Sequence, residues 1–383
     1  MSLAVGIVGL PNVGKSTLFN ALLKRQAALA ANYPFATIEP NVGVVPVPDS
    51  RLAELAKVVG TEVIKPATVE FVDIAGLVRG AHRGEGLGNK FLHHIRETNL
   101  ICQVLRAFDD QRVAREGAVD PAQDLATVRA ELMLADLATL DKQAEPKGVT
   151  DRTVQQRWRH IQQLRDWLSA EQLPWQQLAK LGQSERPPAT PVTAKSATAI
   201  STEPVAATAR ELNLLTAKPE LIVLNVSESQ LAAGIAELTR RYAAELTVPA
   251  HSLLVMSNLI ESELSSLSAA DQQLYLRQLG LEQSGLERLV TAAYRLLSLQ
   301  SFLTAGEKEV RAWTISRGTT ARQAAAVIHS DFAQKMINAQ VINYTDFLKA
   351  GGWKPARDRG LIRTEGRDYL MRPDDVVEFR VGR

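Results

Sequence analysis

The chain has 383 residues, of which 45% are hydrophobic and 22% are charged. This composition allows a buried core and excludes a chain that is disordered throughout, and the length predicts roughly two or three domains. The formal net charge of +2 is too small to indicate nucleic-acid binding by the chain as a whole. Cys102 is the single cysteine, which excludes an internal disulfide and a thiolate metal cluster.

The N-terminus lacks the basic start of a signal peptide, and no apolar run approaches the roughly 20 residues of a membrane span. Together with the cysteine usage, this predicts a cytoplasmic protein. We expect neither a membrane nor DNA as a partner. Cys102 lies in an apolar run and is expected to be a small buried hydrophobe.

The first elements predicted along the chain alternate between buried strands and helices. Residues 3–9 form an apolar run typical of a buried strand, and a helical pattern over 17–24 follows a glycine-rich turn. Further apolar runs predict strands at residues 68–74, 99–107, 221–226 and 252–256. Strands that alternate with helices indicate an α/β domain with a mostly parallel sheet.

Residues 120–216 interrupt this alternation. Asp120 followed by Pro121 is typical of a helix start, and apolar residues at helical spacing continue to Leu132. A second helical pattern covers 154–168, and two amphipathic helices with a short polar link predict an antiparallel hairpin. The Ser-, Thr-, Pro- and Ala-rich residues 183–204 predict a loop.

The last region, residues 302–383, holds 14 basic and 10 acidic residues. Its pattern predicts a strand at 310–315, a helix at 319–335, and strands at 368–371 and 376–381 around a turn. These elements indicate a small α+β module. The local basic excess suits phosphate contacts through Arg311, Arg317 and Arg322, although a solvated charged face is equally compatible with it.

Residues 9–16 read Gly-Leu-Pro-Asn-Val-Gly-Lys-Ser and match the phosphate-binding motif G-x-x-x-x-G-K-[ST]. The motif lies between a predicted strand and a predicted helix, which is the context that it requires. Lys15 is expected to reach the β- and γ-phosphates, and Ser16 to bind Mg²⁺. The nucleotide-binding candidates in this loop are Asn12, Val13, Gly14, Lys15, Ser16 and Thr17.

Two further segments complete this pattern. Asp73 ends a strand three residues before Gly76, which matches the D-x-x-G element of GTPase-like proteins. We expect Asp73 to hold the Mg²⁺ shell and the Gly76 N–H to sense the γ-phosphate, so both join Lys15 as catalytic candidates. Thr37 lies where a switch threonine donates a hydroxyl to Mg²⁺, or it is an ordinary structural residue.

The group that activates water is not evident. Leu77 occupies the position where many GTPases carry glutamine, and an apolar side chain cannot orient water. His82, in the glycine-rich run that follows, either positions water or is an exposed loop histidine. Slow turnover without a partner is therefore expected.

The base-recognition motif N-K-x-D does not occur in the chain. In its place stand Asn225, Val226 and Glu228, and the next strand ends at Ser257. The longer glutamate is not expected to reproduce the contacts of aspartate with guanine, and a carboxylate there repels the ring acceptor of adenine. We therefore expect relaxed or adenine-preferring binding with Glu228 turned away, and GTP use stays open.

Taken together, these segments resemble the YchF-type Obg-like ATPases, a branch of the Obg GTPase family, over nearly the whole chain. The stretches that carry the resemblance are Gly9–Thr17, Asn32–Pro40, Asp73–Lys90, Asn225–Glu228, Phe302–Ile315 and Gln323–Phe332. The family often carries a loop histidine that is implicated in hydrolysis. Residues 109–117 of this chain have none there.

The resemblance implies an Obg-type P-loop G-domain at 1–119 and 217–300, a helical hairpin insertion at 120–216 and a β-grasp TGS domain at 301–383. It also implies Mg²⁺-dependent hydrolysis of ATP in preference to GTP, with ribosome or ribosomal RNA association in translation or stress response. Two alternatives stay open: a GTP-hydrolysing translation factor, and a nucleotide-binding RNA or ribosome adaptor with little turnover.

Overall fold

The computed structural model describes residues 4–30, 41–74, 87–109, 118–184 and 203–382. The chain forms two compact units. The parallel-sheet unit comprises Leu3–Asn20 and Phe71–Ser262, and the mixed-sheet unit comprises Met1–Ser2, Ala21–Glu70 and Glu263–Arg383. Among the described residues, none of the helices is both long and apolar enough to cross a bilayer.

The helices and strands follow one another in this order. The first half of the chain contains β1 (Ala4–Val8), α1 (Lys15–Ala30), β2 (Val42–Pro46), α2 (Arg51–Val59), β3 (Ile64–Lys65), β4 (Thr68–Asp73), α3 (Leu87–Glu97), β5 (Leu100–Arg106), α4 (Pro121–Asp141), α5 (Arg152–Ser169) and α6 (Pro174–Ser184). The second half continues with α7 (Glu203–Glu211), β6 (Glu220–Asn225), α8 (Glu228–Leu231), α9 (Ile235–Glu245), β7 (Leu253–Met256), α10 (Asn258–Leu264), α11 (Ala269–Gln278), α12 (Gly285–Leu296), β8 (Leu299–Ala305) and β9 (Val310–Ser316). It ends with α13 (Ala321–Ile328), α14 (Ser330–Lys335), β10 (Met336–Asn343), α15 (Tyr344–Ala350), α16 (Trp353–Asp358), β11 (Arg363–Glu365) and β12 (Asp375–Val381).

The parallel-sheet unit is built on strands in the order β4-β1-β5-β6-β7. β5 pairs in parallel with β1 and β6, and β6 with β7, so their carboxyl ends share one edge of the sheet. These strands are the apolar runs that the sequence predicts, since strands of a parallel sheet are buried on both faces. Cys102 in β5 is fully buried, and burial raises the pKa of its thiol to about 12, as its apolar surroundings predict.

Helices α4 to α7 form the insertion. The Asp120 carboxylate accepts a hydrogen bond of 2.9 Å from the Gln123 N–H at the start of α4, which confirms the predicted helix start. Helices α4 and α5 match the two predicted helices, whereas α6 and α7 were not predicted. Residues 185–202 of the predicted loop lie outside the described residues. The helices share a core that includes Leu140, Ile161, Leu164, Leu168, Val205 and Ala209.

A buried polar contact holds α4 to the segment that leads into β6. The Asp136 carboxylate in α4 accepts hydrogen bonds from the Leu215 N–H at 2.9 Å and the Thr216 N–H at 2.8 Å. Burial raises the pKa of Asp136 to about 6, against the effect of these hydrogen bonds.

The Lys218 ammonium donates to the carbonyls of Ile95, Arg96 and Thr98 at the end of α3. Burial lowers its pKa to about 8. A cation at the last carbonyls of a helix stabilises its C-terminus.

The mixed-sheet unit contains a sheet with the order β11-β10-β12-β8-β9-β3. Both faces are apolar. One face packs on α2, α15 and α16, with a core that includes Leu55, Leu303, Phe347 and Val376. The other face packs on α13 through residues such as Phe302, Ala325 and Met336.

Residues 51–65 are built into this unit. β3 pairs in parallel with β9 at Ile64 and Val310, and α2 supplies Leu52 and Leu55 to the core of one face. The Arg51 guanidinium contacts Asp49 at 2.7 Å and Asp374 at 2.9 Å. α2 and β3 therefore contribute to the core and the sheet of this unit, and residue 301 falls within β8.

Two local predictions for this unit are wrong. The single helix predicted at 319–335 is interrupted at His329, whose extended backbone (φ −157°, ψ 139°) separates α13 from α14. Residues 368–371 do not form a strand: Leu370 makes one isolated bridge with Thr320, and the antiparallel partner of β12 is β10. The predicted strands at 310–315 and 376–381 are confirmed as β9 and β12.

Candidate functional site

A cavity of about 690 Å³ lies at the carboxyl edge of the parallel sheet. The segments that line it follow β1, β5, β6 and β7, because parallel strands present their carboxyl ends at the same edge. The structure brings together nine residues that the sequence predicted for the site: Asn12, Gly14, Lys15, Ser16, Thr17, Asn225, Val226, Glu228 and Ser257.

The loop after β1 has the backbone of an anion cradle. Gly14 has φ +101°, and a Cβ at this position would overlap the side-chain amide of Asn225. Asn12 is a non-glycine residue with φ +60°, a conformation that asparagine tolerates better than most residues. Since α1 begins at Lys15, its first N–H groups have no acceptor within the helix and form a site for anions at its N-terminus.

Lys15 and Asp73 form the charged part of the site. Lys15 is only 8% exposed, and its ammonium donates a hydrogen bond of 2.8 Å to the Leu10 carbonyl. Burial lowers the pKa of Lys15, and the Asp73 carboxylate opposes this effect. Burial likewise raises the pKa of Asp73, against the effect of Lys15. Each group is therefore the electrostatic partner of the other at the end of β4.

Two asparagines join the loop to the ends of β6 and β7. Asn225 donates from Nδ2 to the Val13 carbonyl at 3.0 Å, and its Oδ1 accepts from the Asn258 N–H at 3.0 Å. Asn258 in turn donates from Nδ2 to the Gly14 carbonyl at 3.1 Å. Both asparagines are nearly fully buried, so these bonds fix the shape of the loop. Val13 is itself a buried residue of this loop and does not line the cavity.

Comparison with known proteins identifies the family. A family model described as a 50S ribosome-binding GTPase matches residues 4–156, and the model of the YchF GTPase C-terminal domain, described as a protein of unknown function, matches residues 299–382. The chain is 42% identical over 386 residues to the ribosome-binding ATPase YchF of Bacillus subtilis (strain 168), covering 99% of both. It belongs to the YchF family. The YchF protein of Haemophilus influenzae is 43% identical over 390 residues, again with 99% of both covered.

A solved structure supports the same assignment for the fold. The YchF GTPase of Schizosaccharomyces pombe superposes with a TM-score of 0.80 at 31% identity, covering 99% of this chain and 98% of that one. The P-loop domain and the C-terminal domain that the sequence predicts are therefore those of a YchF protein.

The base side of the cavity is formed by the start of α8 and by apolar side chains after β5 and β7. Glu228 is the first residue of α8 and is exposed, and Ser227 caps this helix by accepting from the Gln230 N–H. Phe108 and Leu259, which is 63% exposed, add an apolar wall. The predicted site residues did not include five others that line the cavity: Phe108, Asp109, Ser227, Asn258 and Leu259. These residues could have been predicted because they follow directly after the ends of β5, β6 and β7.

The remaining predicted residues are not part of this geometry. Thr37, Gly76, Leu77 and His82, together with residues 110–117, lie outside the described residues. No cluster of three His, Cys, Asp or Glu side chains that could hold a metal occurs within the described ranges. Mg²⁺ in nucleotide sites takes one or two protein oxygens beside phosphates and waters, so the Ser16 hydroxyl and the Asp73 carboxylate fit its donor requirement without such a cluster.

Proposed function

We propose that this YchF-family protein is a Mg²⁺-dependent ATPase whose nucleotide state controls its association with the ribosome. The observation that carries the proposal is the cavity around Gly14, Lys15 and Asn225, which joins a complete phosphate-binding loop to an altered base motif. Relatives that match this chain over their full length are named ribosome-binding ATPase. That name supports ATP as the substrate and the ribosome as the partner. Their named partner also supports a cytoplasmic location and a role in translation or stress response.

In this mechanism the phosphates lie on the N-terminus of α1, against the N–H groups around Gly14, Lys15 and Ser16. The Lys15 ammonium exchanges the Leu10 carbonyl for phosphate oxygens, and charge stabilisation is strong because the side chain is buried. Bound Mg²⁺ supplies charge neutralisation of the β- and γ-phosphates. Ser16, Thr37 and Asp73 would hold this ion, and the Gly76 N–H would sense the γ-phosphate.

We propose ATP over GTP for the base. Guanine needs an acceptor for its ring N–H and amino group, and the longer Glu228, which lines the cavity from the start of α8, is not expected to reproduce the contacts of aspartate. Asn225 donates to the Val13 carbonyl and accepts from the Asn258 N–H, so its amide is held against the phosphate-binding loop. Val226 and Ser257 line the same wall, so backbone groups there read the adenine edge.

Ribosome association is assigned to the C-terminal TGS range 301–383, and the helical insertion at 120–216 interrupts the G-domain of 1–119 and 217–300. Charge reversal at Arg311, Arg317 and Arg322 is expected to weaken co-sedimentation with ribosomes, because these cations would lose phosphate contacts. Since Leu77 cannot orient water, we expect slow basal hydrolysis that ribosomes stimulate. Unchanged hydrolysis in the presence of ribosomes would favour an adaptor that binds nucleotide without useful turnover.

The test is a titration of a fluorescent nucleotide with Mg²⁺, competed separately by ATP and by GTP. We expect tighter competition by ATP, and loss of binding in Lys15→Met. The matched control is Lys57→Met, an exposed lysine on α2 that does not line the cavity. Tighter competition by GTP would leave the phosphate site intact and assign the protein to the GTP-hydrolysing translation factors.

A further inference from the structure

Three hydrogen bonds fix the chain where it leaves β5. The Ala107 N–H donates to the Asn225 carbonyl at 2.9 Å, which extends the pairing of β5 with β6 by one step. The Ala107 carbonyl accepts a bond of 2.8 Å from the side-chain amide of Gln230, and the Phe108 carbonyl accepts one of 2.9 Å from Arg106 Nε. This path brings Phe108 to the wall of the nucleotide cavity.

The half-buried side chain of Gln230 joins the end of β5 to the start of α8. Its Oε1 accepts a hydrogen bond of 2.8 Å from the Ser227 N–H and so completes the capping box of α8, while its Nε2 donates to the Ala107 carbonyl. A glutamate at this position would complete the same capping box, but it has no N–H to donate. The amide therefore makes Gln230 a cross-link between the segments that follow β5 and β6.

Arg106, at the end of β5, holds both the backbone and the ring of Phe108. The arginine is 1% exposed, and its guanidinium carbon lies 4.8 Å from the centroid of the Phe108 ring. A cation over an aromatic face is attracted by the charge distribution of the ring. The planar guanidinium makes this contact while its Nε bonds to the Phe108 carbonyl, and the compact ammonium of a lysine has no such planar group.

The groups that these two side chains hold line the cavity, although Arg106 and Gln230 themselves do not. Phe108 contributes to the lining after β5, and Val226 and Ser227 contribute to it after β6. Ligands of parallel sheets bind outside the carboxyl ends of the strands, so a planar base placed here meets both segments. The spacing between the two segments depends on the cross-link, and the orientation of the ring depends on the guanidinium.

We propose that Arg106 and Gln230 are positioning residues for the nucleotide base. The Gln230 amide sets the spacing between the ends of β5 and β6, and Arg106 sets the orientation of the Phe108 ring beside this gap. The inference rests on the proposed function and deepens it, since it names residues that determine base affinity without touching the nucleotide. The phosphate side is fixed separately, because Asn225 and Asn258 bond to carbonyls of the phosphate-binding loop.

The experiment is isothermal titration calorimetry of the full chain and Mg²⁺ with ATP and with inorganic tripolyphosphate, which carries phosphates but no base. Gln230→Glu keeps the helix cap and removes the donor to the Ala107 carbonyl. We expect its ATP affinity to fall about fivefold relative to its tripolyphosphate affinity, the effect of about one hydrogen bond. Gln230→Met, which is neutral and of similar length, should show the same selective loss and so excludes an effect of the added charge.

Gln155→Glu is the matched control for the lost donor. Gln155 is exposed on α5, and its Nε2 donates a hydrogen bond of 2.9 Å to the Val149 carbonyl, away from the residues that line the cavity. The substitution removes the same kind of bond and adds the same charge. We expect it to leave the affinities for ATP and tripolyphosphate unchanged.

Arg106→Lys keeps the charge and removes the planar group, so the same selective loss of ATP affinity is expected. Thermal unfolding is measured for every variant, and the Gln230 variants carry the test if Arg106→Lys unfolds early. Unchanged ATP affinity in both Gln230 variants, or an equal loss for ATP and tripolyphosphate, would overturn the positioning proposal and leave the ATPase proposal standing. If the wild type binds GTP more tightly than ATP, the ATPase proposal fails, whereas a selective loss of GTP affinity in the Gln230 variants still supports the positioning role.

Discussion

Replacement of Asn225 by alanine tests the claim that one buried amide holds the phosphate-binding loop in shape. The side chain ends β6 and is 4% exposed. It accepts from the Asn258 N–H and donates to the Val13 carbonyl, each at 3.0 Å. Asn225→Ala removes the amide that bonds to both groups. The buried Val13 carbonyl and Asn258 N–H then face the space that the amide had filled.

The size of the effect follows from these contacts. A buried polar group that loses its hydrogen-bond partner costs about 1–3 kcal/mol. Val13 and Asn258 are each 1% exposed, but the cavity of about 690 Å³ beside them admits water that can replace part of one bond. We therefore expect the free energy of unfolding to fall by about 3 kcal/mol. For a unit of roughly 200 residues this corresponds to a Tm lower by roughly 6–12 °C.

The assay is differential scanning calorimetry of the free protein, followed by the same scan with saturating ATP and Mg²⁺. Gln162→Ala, an exposed residue on α5, is the control and should shift the Tm by less than about 2 °C. If the free energy of unfolding of Asn225→Ala falls by less than about 0.5 kcal/mol, the reasoning is refuted. Such a result would mean that the two backbone groups find other hydrogen-bond partners at no cost.

Three further outcomes follow from single contacts. Gly14→Ala places a side chain at φ +101° against Asn225, so ATP affinity should fall more than tenfold in an equilibrium titration; retained affinity contradicts the cradle geometry. Arg51→Ala loses its partly buried ion pairs with Asp49 and Asp374 and should lower the free energy of unfolding by about 1 kcal/mol in urea, whereas no change would mean that Leu52 and Leu55 alone anchor α2. Burial lowers the pKa of Lys218 from 10.5 to about 8, so the wild type should gain stability relative to Lys218→Met as the pH rises from about 8 to 10.5; a flat difference in parallel denaturation series argues against the buried ammonium.

The parallel-sheet unit could be predicted in some detail because its signals are local. A strand buried on both faces appears as an apolar run, and the loop after β1 carries its glycine and lysine at fixed spacing. The same holds for Asp120, whose capping role depends on residues three positions away. The spacing of the motif residues was therefore enough to predict most residues on the phosphate side of the cavity.

The mixed-sheet unit was predicted less well because its signals are long-range. The spacing of Leu52 and Leu55 shows that α2 is amphipathic, but nothing near them indicates that the face packs against β8. Thr319–Lys335 has helical periodicity throughout, and the extended backbone at His329 depends on contacts of the whole unit. The hydrogen bond from Asn258 to the Gly14 carbonyl was not predicted for a similar reason, since it joins residues more than 200 positions apart.

The pairing of β3 with β9 also sets an order of events during synthesis. Ile64 and its partner Val310 are 246 positions apart, by subtraction of their numbers. At about 5–20 residues per second, the nascent chain carries α2 and β3 without their sheet for roughly 12–50 s. The sheet edge that β3 covers is therefore completed by a segment that leaves the ribosome well before the rest of the sheet. Until the last strands emerge, the apolar face of α2 is a place where a chaperone can bind or a misfolded contact can start.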